Sequence, residues 1–83
     1  MERKYLIELV KVLLKIKNQK EMIDFLQGIL TPKELEEIPK RLAIVKMLKK
    51  GIPQKQIAEK LKVGIATVTR GSNELKRGRF KNI

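Results

Sequence analysis

Apolar residues recur at helical spacing along nearly the whole 83-residue chain, and no segment alternates in the manner of a strand. From Glu2 to about Lys17, Leu6, Leu9, Val10, Leu13 and Ile16 make one stripe, and Ile7, Val12 and Leu14 widen it. So broad a face predicts a helix that needs cover on more than one side. A basic helix lying on a membrane surface is the other reading of this segment, although its stripe is broad for a shallow interfacial helix. Asn18 with Glu21 has the spacing of a capping box and opens a second helix carrying Met22, Ile23, Phe25, Leu26, Ile29 and Leu30. Thr31-Pro32-Lys33-Glu34 is a stronger start signal, with Thr as N-cap, Pro first in the helix and Glu third. The third helix then runs through Leu42, Ile44, Val45, Met47 and Leu48 to stop at Gly51, with Lys49 and Lys50 at the negative end of its dipole. Pro39 interrupts it at a cost of roughly 3 kcal/mol, which predicts a kink or two abutting helices near Ile38.

Residues 51–76, GIPQKQIAEKLKVGIATVTRGSNELK, read as two short helices around a tight turn. The first starts at Pro53 as its first helical residue and keeps Ile57, Ala58 and Leu61 on one face. Lys62-Val63-Gly64 is the turn. Its first position prefers Gly, because positive φ is usual there, so Lys62 predicts a reshaped turn. The second helix starts near Ile65; Ile65, Val68 and Leu75 can face inward, while Thr67, Thr69 and Arg70 share an outer surface. This spacing fits a helix-turn-helix motif, and equally a plain αα-hairpin inside a bundle. Gly78 marks the end of the last helix, and residues 79–83 read as a frayed basic tail. The expectation is a single all-α domain over residues 1–83: core helices for dimerisation in 1–50, a reading head in 51–78, and the tail.

Charge separates along this plan. Residues 1–39 carry seven Lys or Arg and seven Asp or Glu, whereas residues 40–83 hold thirteen basic residues against Glu59 and Glu74. The whole net charge of +11 therefore lies on the half of the chain that contains the helix pair, pointing to a polyanionic partner or to a solubilising lysine-rich surface. The absence of Cys and His removes disulfides, thiolate metal sites, the commonest zinc ligand and the commonest general base. Ser72 is the only serine and stands in no polar cluster, so no enzyme is expected. The segment from Leu6 to Ile16 is broken by Glu8, Lys11 and Lys15, and no secretory signal is evident, which makes the cytoplasm the expected location. A chain this short exposes its first helix unless it dimerises.

The string GIATVTRGSNELK (residues 64–76) closely resembles the tryptophan repressor family, and the likeness extends upstream through Leu30-Thr31-Pro32, Arg41 and Gly51, roughly residues 22–78. The resemblance implies an intertwined homodimer that presents helix-turn-helix reading heads to operator double-stranded DNA and represses transcription, with L-tryptophan as corepressor. It implies that the indole is sandwiched between Arg41 and Arg70, with Leu30, Thr31, Gly71 and Glu74 completing the pocket. Guanidinium planes stack on an indole and also pair with a carboxylate. Without the resemblance, Arg41 is a surface charge, Arg70 a phosphate contact and Gly71 a tolerated helical Gly costing about 1 kcal/mol. DNA contacts carry over to Lys55, Ile65, Ala66, Thr67 and Thr69, where small side chains permit close approach to base edges and Ile65 can meet a thymine methyl.

The chain departs from the family in three places. Residues 51–54 are one residue shorter than in enterobacterial members, Glu74 stands where those have a serine near the ligand's amino group, and the family often has a further helix beyond the last residues here. Other functions compatible with the sequence are a tryptophan-independent DNA-binding regulator of the same fold, a helical interaction module, and a small basic RNA-binding protein. The last is disfavoured by the scarcity of stacking aromatics, which are limited to Tyr5, Phe25 and Phe80.

Overall fold

A computed structural model describes residues 3–83, which form α1 (Arg3–Lys15), α2 (Gln19–Ile29), α3 (Pro32–Lys49), α4 (Gln54–Leu61) and α5 (Ile65–Lys76), with no strand among them. Glu2, the expected start of the first helix, lies outside the described residues. That helix stops at Lys15 rather than Lys17, because Asn18 must be extended (φ −135°, ψ 161°) to cap the next one. The described residues fall into two compact units, one ending at Leu35 and the other Glu36–Ile83.

In the first unit the local start signals are realised. The Glu21 N–H donates to Asn18 Oδ1 at 2.8 Å. At the next junction the capping is reciprocal: Thr31 N–H donates to Glu34 Oε1 at 2.8 Å and Glu34 N–H to Thr31 Oγ1 at 3.2 Å. Neither α1 nor α2 has a buried residue, and Leu6, Val10 and Leu14 along the α1 stripe are exposed, Leu14 to 79%.

The prediction of two abutting helices near Ile38 is corrected: α3 is one helix with Pro39 inside it. Proline's fixed φ is helical, so the helix continues although Pro39 has no donor for the carbonyl of Leu35. Beyond it, Ile44 from α3, Ile57 from α4 and Val68 from α5 meet as a fully buried cluster, flanked by Met47, Leu48, Ile52, Ala58, Leu61 and Val63.

Three helix ends in this unit share one geometry. At Gly51 (φ 82°), Ile52 N–H donates to Met47 O and Gly51 N–H to Leu48 O; at Gly78 (φ 91°), Arg79 N–H donates to Glu74 O and Gly78 N–H to Leu75 O. The end of α4 does the same with a lysine. Lys62 is left-handed (φ 56°, ψ 48°), with Val63 N–H donating to Ala58 O at 3.1 Å. The turn is thus not reshaped, as Lys62 was expected to require; Lys62 takes the glycine conformation itself, while Gly64 is extended and caps α5. Pro53 is likewise the N-cap of α4 and not its first helical residue, because its ψ of 144° is extended while its carbonyl already accepts from Ile57 N–H. A left-handed lysine costs about 1–2 kcal/mol. Lys62→Gly is therefore expected to raise stability by about 1 kcal/mol and the thermal midpoint by roughly 4–8 °C, measured by circular dichroism. An unchanged or lower midpoint would show that Lys62 contributes through its side chain more than its backbone costs.

Candidate functional site

Helices α3 and α5 present matching stripes to one cavity. Ile38, Arg41, Leu42 and Val45 recur at i, i+3, i+4 and i+7 on α3, and Thr67, Arg70, Gly71 and Glu74 do so on α5; all eight line a cavity of about 300 Å³. This volume is at the lower end for sites that take small organic ligands. Its floor is apolar, and its charged side chains are Arg41, Arg70 and Glu74. A Cβ added at Gly71 would sit 3.2 Å from Ile44 Cγ2, so the missing side chain is what lets α5 come this close to α3.

Of the residues expected to hold a ligand, Arg41, Arg70, Gly71 and Glu74 are therefore brought together. Leu30, half-buried, and Thr31, exposed, belong to the first unit, where they flank the junction of α2 and α3. Arg41 also pairs with Glu37 at 3.7 Å on its own helix. Glu74 is held by Arg77 (Nη1 to Oε1, 3.1 Å) and Arg79 (Nε to Oε2, 3.5 Å).

Of the residues expected to meet DNA, Ala66 and Thr69 lie away from the cavity on α5, whereas Thr67 is on its edge. Ala66 and Thr69 are exposed, as are Lys55 on α4 and Thr67, which also borders the cavity. Ile65, which its spacing placed among the inward positions, is instead 52% exposed. It opens the helix directly after the Gly64 cap, one turn short of the buried Val68. Thr69 Oγ1 donates to Gln54 Oε1 at 2.9 Å, tying α5 to the start of α4. Lys55, Lys60 and Lys62 are exposed and enter no ion pair among the described residues.

Sequence reasoning assigned none of Ile38, Leu42, Ile44, Val45, Thr67 and Phe80 to the cavity. The helical spacing around Arg41 points to Ile38, three residues before it; nothing local announces Phe80. Residues 79–83, expected to fray, instead turn back on α3, where Lys49 Nζ donates to the carbonyls of Phe80 and Ile83. Phe80 is left-handed (φ 63°) within that turn. The expectation of a frayed tail rested on its charge and position, which carry no information about a lysine thirty residues upstream. Among the described residues no cluster of acidic side chains offers a metal site, and no helix is long and apolar enough to cross a membrane.

Comparison with known proteins bears on the same segments. The profile of the family described as Trp repressor protein matches residues 4–81. A Trp operon repressor homolog from Vibrio vulnificus (strain YJ016) is 51% identical over 59 residues, 70% of this chain and 58% of that protein. One from Vibrio cholerae serotype O1 is 45% identical over 76 residues, covering 90% of this chain and 71% of that protein. One from Actinobacillus succinogenes is 46% identical over 54 residues, 64% of this chain and 54% of that protein. The chain thus spans between half and three quarters of the length of these relatives. No solved structure gives a significant match. Since the profile runs through the helix pair and also through the helices that precede it, the chain belongs to the Trp repressor family.

Proposed function

We propose that the chain is a DNA-binding transcriptional repressor of the tryptophan repressor type, not an enzyme, acting as a homodimer with L-tryptophan as corepressor. Residues 1–50 supply the dimerisation core and residues 51–78 the reading head. The observation that carries this reading is the cavity between α3 and α5, where an apolar floor is bordered by Arg41, Arg70 and Glu74. Two cations and one anion suit the carboxylate and ammonium of an amino acid, and guanidinium planes suit an indole. An occupant touching both helices favours DNA binding to the extent that it prefers the reading geometry of α5. The exposed apolar stripe of α1 supports the dimer, since a face with Leu6, Val10 and Leu14 open to water gains by association.

The test is a titration of the full chain with L-tryptophan, with operator affinity measured alongside and mass by light scattering. Because the chain contains no Trp, indole fluorescence reports the ligand. Arg41→Ala is expected to weaken tryptophan binding about tenfold, the equivalent of roughly 1–2 kcal/mol for one cation–π contact, while leaving ligand-free DNA affinity nearly intact. If millimolar L-tryptophan neither binds nor alters DNA affinity, the corepressor assignment fails and a tryptophan-independent regulator is the reading left. A monomeric mass at micromolar concentration rejects the dimer.

A further inference from the structure

We propose that Phe80 is an aromatic wall of the α3–α5 cavity and selects a planar ring over an aliphatic side chain. The inference rests on reading that cavity as the amino-acid site. Phe80 lines the cavity although it lies outside every helix, and several independent ties hold it there. Gly78, at φ 91°, turns the chain back, and Arg79 bonds Glu74 twice, through its N–H to the Glu74 carbonyl at 3.1 Å and through Nε to Oε2 at 3.5 Å. Lys49, from the last turn of α3, donates to the carbonyls on either side of residues 81–82, those of Phe80 and Ile83. Phe80 itself adopts φ 63°, a conformation that a bulky residue keeps only where its surroundings hold it. Phe80 is still 39% exposed and the cavity it lines retains about 300 Å³, so the residue bounds the space without filling it. A ring in that position offers a ligand ring stacked or edge-on contact beyond simple burial. An aliphatic side chain gains no such term.

The experiment titrates full-length wild type, Phe80→Ala and Phe80→Tyr with L-tryptophan, L-leucine and indole, and records NOEs from the Phe80 ring in the ligand-free wild type. Expected are NOEs to the methyls of Val45 or Ile44, a loss of about tenfold in tryptophan and indole affinity in Phe80→Ala, and near-wild-type affinity in Phe80→Tyr. Leucine is expected to bind more weakly than tryptophan to wild type, with the preference reduced in Phe80→Ala. Indole binding that depends on Phe80 while tryptophan fails to bind keeps the wall and rejects the amino-acid reading of the site. Unchanged or tighter binding in Phe80→Ala overturns the proposal, as do missing NOEs or a wild type that binds no ring at all.

Discussion

Ile57→Ala is expected to lower the unfolding free energy by about 2–5 kcal/mol, the range for removing a buried isoleucine side chain down to Cβ. Ile57 is fully buried and joins α4 to Ile44 of α3 and Val68 of α5. Few residues share the load, since among the described residues only Ile44, Val45, Ile57 and Val68 are buried. A chain of this size has on the order of 4–12 kcal/mol in total, so the substitution removes a large fraction of its stability. Urea unfolding at fixed protein concentration, followed by circular dichroism, measures the loss. The control is Ile65→Ala, the same chemical change at a residue 52% exposed, expected to cost less than about 0.5 kcal/mol. Equal losses at the two positions would contradict the placement of the core.

Duplex DNA affinity is expected to fall on the order of 10³-fold between 50 and 200 mM salt, as counterions displaced by the basic half return to solution. The local arrangement decides which charges count. Lys49 is engaged with backbone carbonyls, and Arg77 and Arg79 with Glu74, whereas Lys55, Lys60 and Lys62 are exposed without an ion-pair partner among the described residues. Lys55→Ala is expected to weaken binding to all duplexes and to make the slope of log affinity on log salt shallower by about one per bound head. Thr67→Ala, measured without ligand, is expected to relax base preference and leave the slope unchanged. Fluorescence anisotropy across a salt series and a small sequence library separates the two effects. A flat salt response would remove the phosphate contacts on which the DNA reading depends.

What could be read from the sequence was what neighbours in the chain decide. Thr31 with Glu34, and Asn18 with Glu21, sit within one helical turn of each other, so the sequence pattern and the hydrogen bond are nearly the same fact. Gly51 and Gly78 ended their helices for the same reason. The resemblance added Arg41, Arg70, Gly71 and Glu74, which the structure brings to one cavity. Misreadings arose where a local preference was overridden by what came next. Lys62 was read as too costly for a left-handed turn, yet the bond from Val63 N–H to Ala58 O closes it. Pro39 predicted a kink or two abutting helices, and of these the second is overturned because α3 runs continuously through it. Phe80 was beyond local reading altogether, because its position depends on Lys49 and Glu74.

The spacing of Ile44, Ile57 and Val68 along the chain also bears on how residues 36–83 fold. Each is about a dozen residues from the next, so bringing them together closes only short loops, a step that takes on the order of 10–100 ns in a flexible chain. Such proximity in sequence keeps contact order low, and low contact order goes with fast folding. The side chains that anchor α5 can therefore find one another without waiting for any pairing between distant parts of the chain.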